Sequence, residues 1–107
     1  MVVARGEVWL VALDPTLGSE IRKTRPCVIV SPTEMHDFLR TVIVAPMTTS
    51  SKPAPYRIPL RFSGKNGLVL LDQIRTIDKR RLAKRVGAVS PATLQSTLFA
   101  LHQIFAV

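Results

Sequence analysis

The chain has little of what usually gives a function away. It holds one cysteine, Cys27, so no disulfide within the chain can staple it, which suits a reducing compartment. Its two histidines, His36 and His102, are isolated and show no Cys/His metal spacing, so neither a zinc site nor any other metal is expected. Both read as surface or packing residues, because a catalytic histidine needs a positioned partner. There is no Walker loop and no GxGxxG, and no cofactor is expected. The longest apolar runs fall far short of the ~20 residues that span a bilayer. No N-terminal stretch has the charged, apolar, small-residue order of a signal peptide. A cytoplasmic, soluble chain with no membrane partner is the expectation. Aromatics are scarce: Trp9, Tyr56 and four phenylalanines. Negative charge is also scarce, with seven Asp and Glu against fifteen Lys and Arg.

What is present follows from that imbalance. Net charge is +8 and the isoelectric point is near 10.9. Ten of the fifteen cations are arginine, whose planar fork suits phosphate. Such a balance favours a polyanion or an acidic protein as partner. The length of 107 residues, 47% of them hydrophobic, allows one domain over 1–107 with one modest core.

Short apolar runs separated by turn signals mark strands at Glu7–Leu13, Pro26–Val30, Thr41–Met47, Tyr56–Phe62, Gly67–Leu71 and Arg85–Val89. Pro46 and Pro59 suggest edges or bulges. A short helical turn is expected over Thr33–Leu39, capped by Thr33. At Ser90-Pro91 the period changes: an N-cap and a proline at the first helical position open a helix with Leu94, Leu98, Leu101 and Phe105 on its main stripe. Phe99 and Ile104 flank that stripe and hint at a second buried surface, such as a homodimer contact. The pattern predicts a mainly β fold, a small barrel closed by a C-terminal helix.

The densest polar stretch lies between the first two strands. Ser19 to Arg25 places one carboxylate, two hydroxyls and three cations in seven residues. A simple hairpin loop needs two to five residues, and longer loops on a rigid frame often carry function. Glu20 can accept a proton beside guanidinium groups. Arg25 and Arg22 can grip a phosphate bidentately, and Pro26 biases Arg25 towards an extended backbone. Thr48 ends a strand, where its hydroxyl can face a phosphoryl oxygen. The same Glu20–Arg25 spacing also suits a surface ion pair without function. A second basic cluster, Lys79-Arg80-Arg81 with Lys84-Arg85, fits a phosphate-tracking wall or a solvated turn. Asp72-Gln73 and Arg75 can read base edges or orient one another, or Asp72 can simply end a strand. Cys27 in its apolar strand reads as an inert core residue.

Three ordered segments, GEVWLVALDPTLGSEIRKTRPCVIVSP, VIVAPMTTS and LLDQIRTIDKRRL, resemble the MazF/PemK (Kid) family of toxin endoribonucleases. The resemblance covers nearly the whole chain. It implies an SH3-like barrel of the PemK/CcdB type, a homodimer, metal-independent cleavage of single-stranded RNA, and a cognate acidic antitoxin. It assigns catalysis to Glu20, Arg25 and Thr48. Ser19, Arg22, Lys23, Thr49, Asp72, Gln73, Arg75, Lys79 and Arg80 become the expected RNA contacts. The PemK/Kid branch has histidine at the position of Ser19 and arginine at that of Leu70, so the MazF assignment is the better guide and Asp72 becomes structural or substrate-binding. A gyrase-directed toxin resembling CcdB and a non-catalytic RNA-binding barrel are the alternatives.

Overall fold

The computed structural model describes residues 2–14, 18–20 and 23–107. Seven strands form: β1 (Glu7–Ala12), β2 (Thr24–Ile29), β3 (Thr41–Thr48), β4 (Arg57–Phe62), β5 (Lys65–Leu70), β6 (Arg75–Asp78) and β7 (Leu82–Ala88). One helix, α1 (Pro91–Phe105), follows. The strands join in the order β4-β5-β3-β2-β1-β7, with β6 also pairing β3, and every pairing is antiparallel.

The near-continuous apolar run of β1 has a direct reason. The central strands are buried on both faces, so alternate residues enter two different cores. Trp9, Val11, Cys27, Ile29 and Val44 pack with Ile77 and Leu82 on one side. Val8, Val28, Ala45, Met47 and Val69 pack on the other. Helix α1 covers the second core through Ala100, Leu101 and Ile104. The sheet curls until β4 approaches β7, where a Cβ on Gly87 would come within 2.9 Å of the Phe62 ring. No ladder joins those two strands among the described residues. The result is the expected mainly β half-barrel with one C-terminal helix, open along the β4–β7 seam.

Several details differ from the sequence reading. Pro46 is not at an edge: β3 has partners on both sides. It sits opposite Cys27, at the handover where β6 ends (Val44–Arg75) and β5 begins (Met47–Val69). A missing N–H is tolerated at such a break. Pro59 does lie on an edge, in β4, which pairs only β5. Strand β6 was not anticipated, because RTID is short and charged at both ends and only Ile77 is buried. The turn before β5 is tighter than expected. Ser63 and Gly64 both have positive φ (51° and 76°), the two-residue hairpin geometry, so Lys65 and Asn66 belong to β5.

The turn Thr33–Asp37 is present, but Thr33 does not cap it; its hydroxyl instead accepts the Arg5 N–H at 2.9 Å. Ser90 caps α1 as expected, accepting from the Thr93 N–H at 3.1 Å, with Pro91 in the first turn. The fully buried helical position is Thr97, whose hydroxyl donates to the Thr93 carbonyl at 2.8 Å. Phe99 and Phe105 stand exposed rather than in the core.

Candidate functional site

The site begins with how β2 and β3 separate. Their ladder ends at Cys27–Pro46. Two steps further along the same register, Arg25 and Thr48 face one another where the strands part. Both line a cavity of about 360 Å³ in the open β4–β7 seam, together with Thr49, Phe62, Lys65 and Val86. Thr48 is buried, and its Oγ1 accepts the Ser50 N–H at 3.2 Å and shares a hydrogen bond with the Ser50 hydroxyl at 3.0 Å. Ser50 thus fixes the Thr48 rotamer, a role visible in sequence only as the Thr-Thr-Ser cluster. Gly67 is required beside it, since a Cβ there would lie 2.8 Å from the Thr48 carbonyl oxygen.

The β1–β2 loop is rooted by unusual means. The Leu13 N–H donates to the Lys23 carbonyl at 3.0 Å, and the Lys23 N–H donates to Asp14 Oδ1 at 3.2 Å. Lys23 takes a φ of 69° to do so, a conformation that costs a non-glycine residue of order 1 kcal/mol. Two arginines then grip the loop's root from below. Arg75 donates to the Leu13 carbonyl at 2.9 Å. Arg81 donates to the carbonyls of Ala12 at 3.1 Å and Asp14 at 2.6 Å. Three consecutive carbonyls at the root are therefore held by guanidinium groups. Ser19 and Glu20 stand exposed on this loop, and Glu20 is not among the residues lining the cavity. Arg22 lies outside the described residues.

The other expected contacts divide by position. Thr49 lines the cavity. Asp72 and Gln73 form a 3-10 turn after β5. Asp72 takes a two-pronged contact from Arg57 (3.0 and 3.2 Å), and Arg57 also donates to the Lys52 carbonyl at 3.3 Å. The Arg57 hydrogen bond is the main cause that holds the Asp72 carboxyl below the usual range. Asp72 thus ties the 49–56 segment to the turn at 71–73, away from the cavity. Arg75 serves the loop root. Lys79 donates to the His36 carbonyl, and Arg80 pairs with Asp78 at 3.1 Å. These two lie beside the Thr41 end of β3, since Thr41 pairs with Asp78. Seven residues of strand separate that end from Thr48, roughly 20 Å, so Lys79 and Arg80 do not join Arg25.

No motif in the sequence marks Lys65 or Arg61 individually, or the charge pattern around them. From residue 38 to 71 there is no Asp or Glu, while Arg40, Lys52, Arg57, Arg61 and Lys65 all fall in that stretch. Four of those five lie in the 49–71 segment that forms one wall of the seam. In β1, Glu7 takes hydrogen bonds from the Ala4 N–H (2.8 Å), the Trp9 indole (3.2 Å) and Arg85 (2.7 Å). Burial works against its charge, but these donors outweigh it and leave the carboxyl below its ordinary range. His36 is buried, with Nε2 at 2.6 Å from Ser31 Oγ and Nδ1 at 2.6 Å from the Val3 carbonyl. It is a packing residue. Cys27 is buried too, and burial pushes its thiol up to about 12.

The sequence profile of PemK-like, MazF-like toxins of type II toxin–antitoxin systems matches residues 4–105. The chain belongs to this toxin family. It is 39% identical over 106 residues to the endoribonuclease PemK of Escherichia coli, covering 94% of this chain and 80% of that protein. Its fold matches MazF from Deinococcus radiodurans with a TM-score of 0.87 at 24% identity, over 100% of this chain and 99% of that one. It also matches a mycobacterial endoribonuclease solved in complex with its cognate antitoxin, with a TM-score of 0.79 at 26% identity, over 94% and 92% of the two chains. The seam cavity with Arg25 and Thr48 is thus set in a PemK/MazF toxin fold.

Proposed function

We propose that this PemK/MazF-family toxin is an endoribonuclease that cuts single-stranded RNA at a short sequence without a metal ion. The observation that carries the reading is the convergence of Arg25 and Thr48 on one cavity at the end of the β2–β3 ladder. In this scheme the ribose 2′-oxygen attacks the adjacent phosphorus as its proton passes to Glu20. The bond from phosphorus to the 5′-oxygen breaks, and that oxygen takes a proton from solvent. The products are a 2′,3′-cyclic phosphate and a 5′-hydroxyl end. Arg25 stabilises the extra charge on the phosphorane, as fixed donors do most efficiently in a partly dry site. A guanidinium does not give up its proton in proteins, so Arg25 acts as an electrostatic clamp and not as the proton donor.

Glu20 reaches the 2′-hydroxyl from the loop whose root Arg75 and Arg81 hold. Phe99 and Phe105, both left exposed on α1, support a homodimer that would cover them. A basic seam wall and an antitoxin-bound relative support inhibition by an acidic antitoxin segment.

Incubating the purified protein with a long single-stranded RNA in EDTA, beside Arg25→Ala, tests the reading. Discrete cuts with 5′-hydroxyl ends, absent in the variant, are expected. Two unrelated long RNAs left whole at enzyme excess would overturn it.

A further inference from the structure

The cavity beside Arg25 and Thr48 has a character that gripping a phosphate does not require. Its sheltered part is apolar, made by Leu10, Met47, Leu60 and Phe62. Its exposed rim carries Thr49, Ser63 and Lys65, and among the described residues no carboxylate lines it. A phosphate pressed onto that floor would lose water and gain no partner. A flat group with apolar faces and a polar edge would be satisfied at both.

We propose that this cavity holds one unstacked nucleobase next to the scissile phosphate, and that it selects a base with a carbonyl edge, uracil or guanine, over one with an amino edge, cytosine or adenine. The inference rests on the reading of the chain as an RNA-cutting enzyme. A volume of about 360 Å³ lies within the range of small-molecule sites, roughly 300–1,000 Å³. Phe62 is the aromatic side chain that lines it. Bases splayed from single strands are recognised by stacking on such rings and by hydrogen bonds at their edges. The ring is held against β7, where Gly87 leaves no room for a Cβ.

The selection follows from the inventory of donors. The Lys65 ammonium only donates, and the Thr49 and Ser63 hydroxyls donate or accept. A carbonyl edge therefore meets a charged donor. The amino edge of cytosine finds its best partner in a carboxylate, and none lines the cavity among the described residues.

The test maps cut positions on a randomised single-stranded RNA library for the wild-type protein, Lys65→Gln and Lys65→Glu. Lys65 is exposed at the start of β5, so both variants should fold. The wild type should prefer U or G at one position adjoining the cut by roughly tenfold or more. Lys65→Gln should reduce that preference to within about threefold, and Lys65→Glu should turn it towards C or A. Affinity for uncleavable oligonucleotides, 2′-deoxy at the cut and differing only in that base, should follow the same order without relying on turnover. A wild type that prefers an amino base there, or a preference unchanged in both variants, would overturn the inference while leaving the nuclease reading intact. A wild type that cuts no RNA would overturn both.

Discussion

The two ends of β3 both carry arginine and lysine, yet they put them to different use. At the Thr41 end, Arg80 is matched by Asp78, Lys79 by the His36 carbonyl, and Glu34 and Asp37 stand close by in the preceding turn. At the Thr48 end, Arg25 and Lys65 line a cavity that no carboxylate lines among the described residues. Counting cations along the sequence gives the two ends equal standing; the lining of the cavity sets the Thr48 end apart. Field is focused in clefts lined by one sign of charge, and among the described residues the seam cavity is such a cleft.

The largest effect should come from the seam itself. Arg25→Ala is expected to lower single-turnover RNA cleavage by about a thousandfold, and Arg25→Lys by about a hundredfold, because the charge survives and the fork does not. Near-wild-type cutting by the lysine variant would remove the bidentate clamp from the account. The loop root should come next. Arg81→Ala and Arg75→Ala release carbonyls at the base of the loop that carries Glu20 and ends at Arg25. Small displacements of catalytic groups cost up to about a hundredfold, so kcat should fall roughly tenfold or more with KM little changed, and Arg81→Lys should recover part of the loss. A fall in melting temperature with kcat intact in the folded protein would make these arginines purely structural.

Glu7 offers a further contrast, because its carboxylate joins β1 to β7 through Arg85. Glu7→Gln should cost about 1–2 kcal/mol at neutral pH, the scale of lost charge-assisted hydrogen bonds. The folded carboxyl titrates below its ordinary value, so its contribution is complete above that value, about pH 4.5, and disappears as pH falls through the lower folded value. Denaturant titrations should therefore show a flatter acid limb in the variant than in the wild type. The smallest effect belongs to the Thr41 end: Lys79→Ala with Arg80→Ala should change KM for RNA by no more than about threefold, since exposed ion pairs are worth little. A tenfold rise in KM would break the contrast between the two ends.

Much of the fold was legible because its cues are local. The Ser90-Pro91 cap, the apolar runs of β1 to β3 and the Ser63-Gly64 turn each act within a few residues. Strand β6 was hidden because Arg75 and Asp78 are charged and its pairing with β3 is non-local. In the site, Arg25 and Thr48 could be picked out from loop density and strand ends. That Arg75, Lys79 and Asp72 are occupied by the Leu13 carbonyl, the His36 carbonyl and Arg57 could not, because those contacts cross 62, 43 and 15 residues of sequence. Lys65 is marked by no motif, because a lone lysine in a turn looks like any solvated charge.

The most direct test of the contrast is to titrate the isotope-labelled protein with a single-stranded oligonucleotide made uncleavable by a 2′-deoxy at the cut, and to follow amide NMR shifts. Shifts are expected at Arg25, Thr48, Gly67 and Val86, with Arg40, Lys79 and Arg80 unmoved. Shifts concentrated at the Thr41 end, with the seam silent, would contradict it.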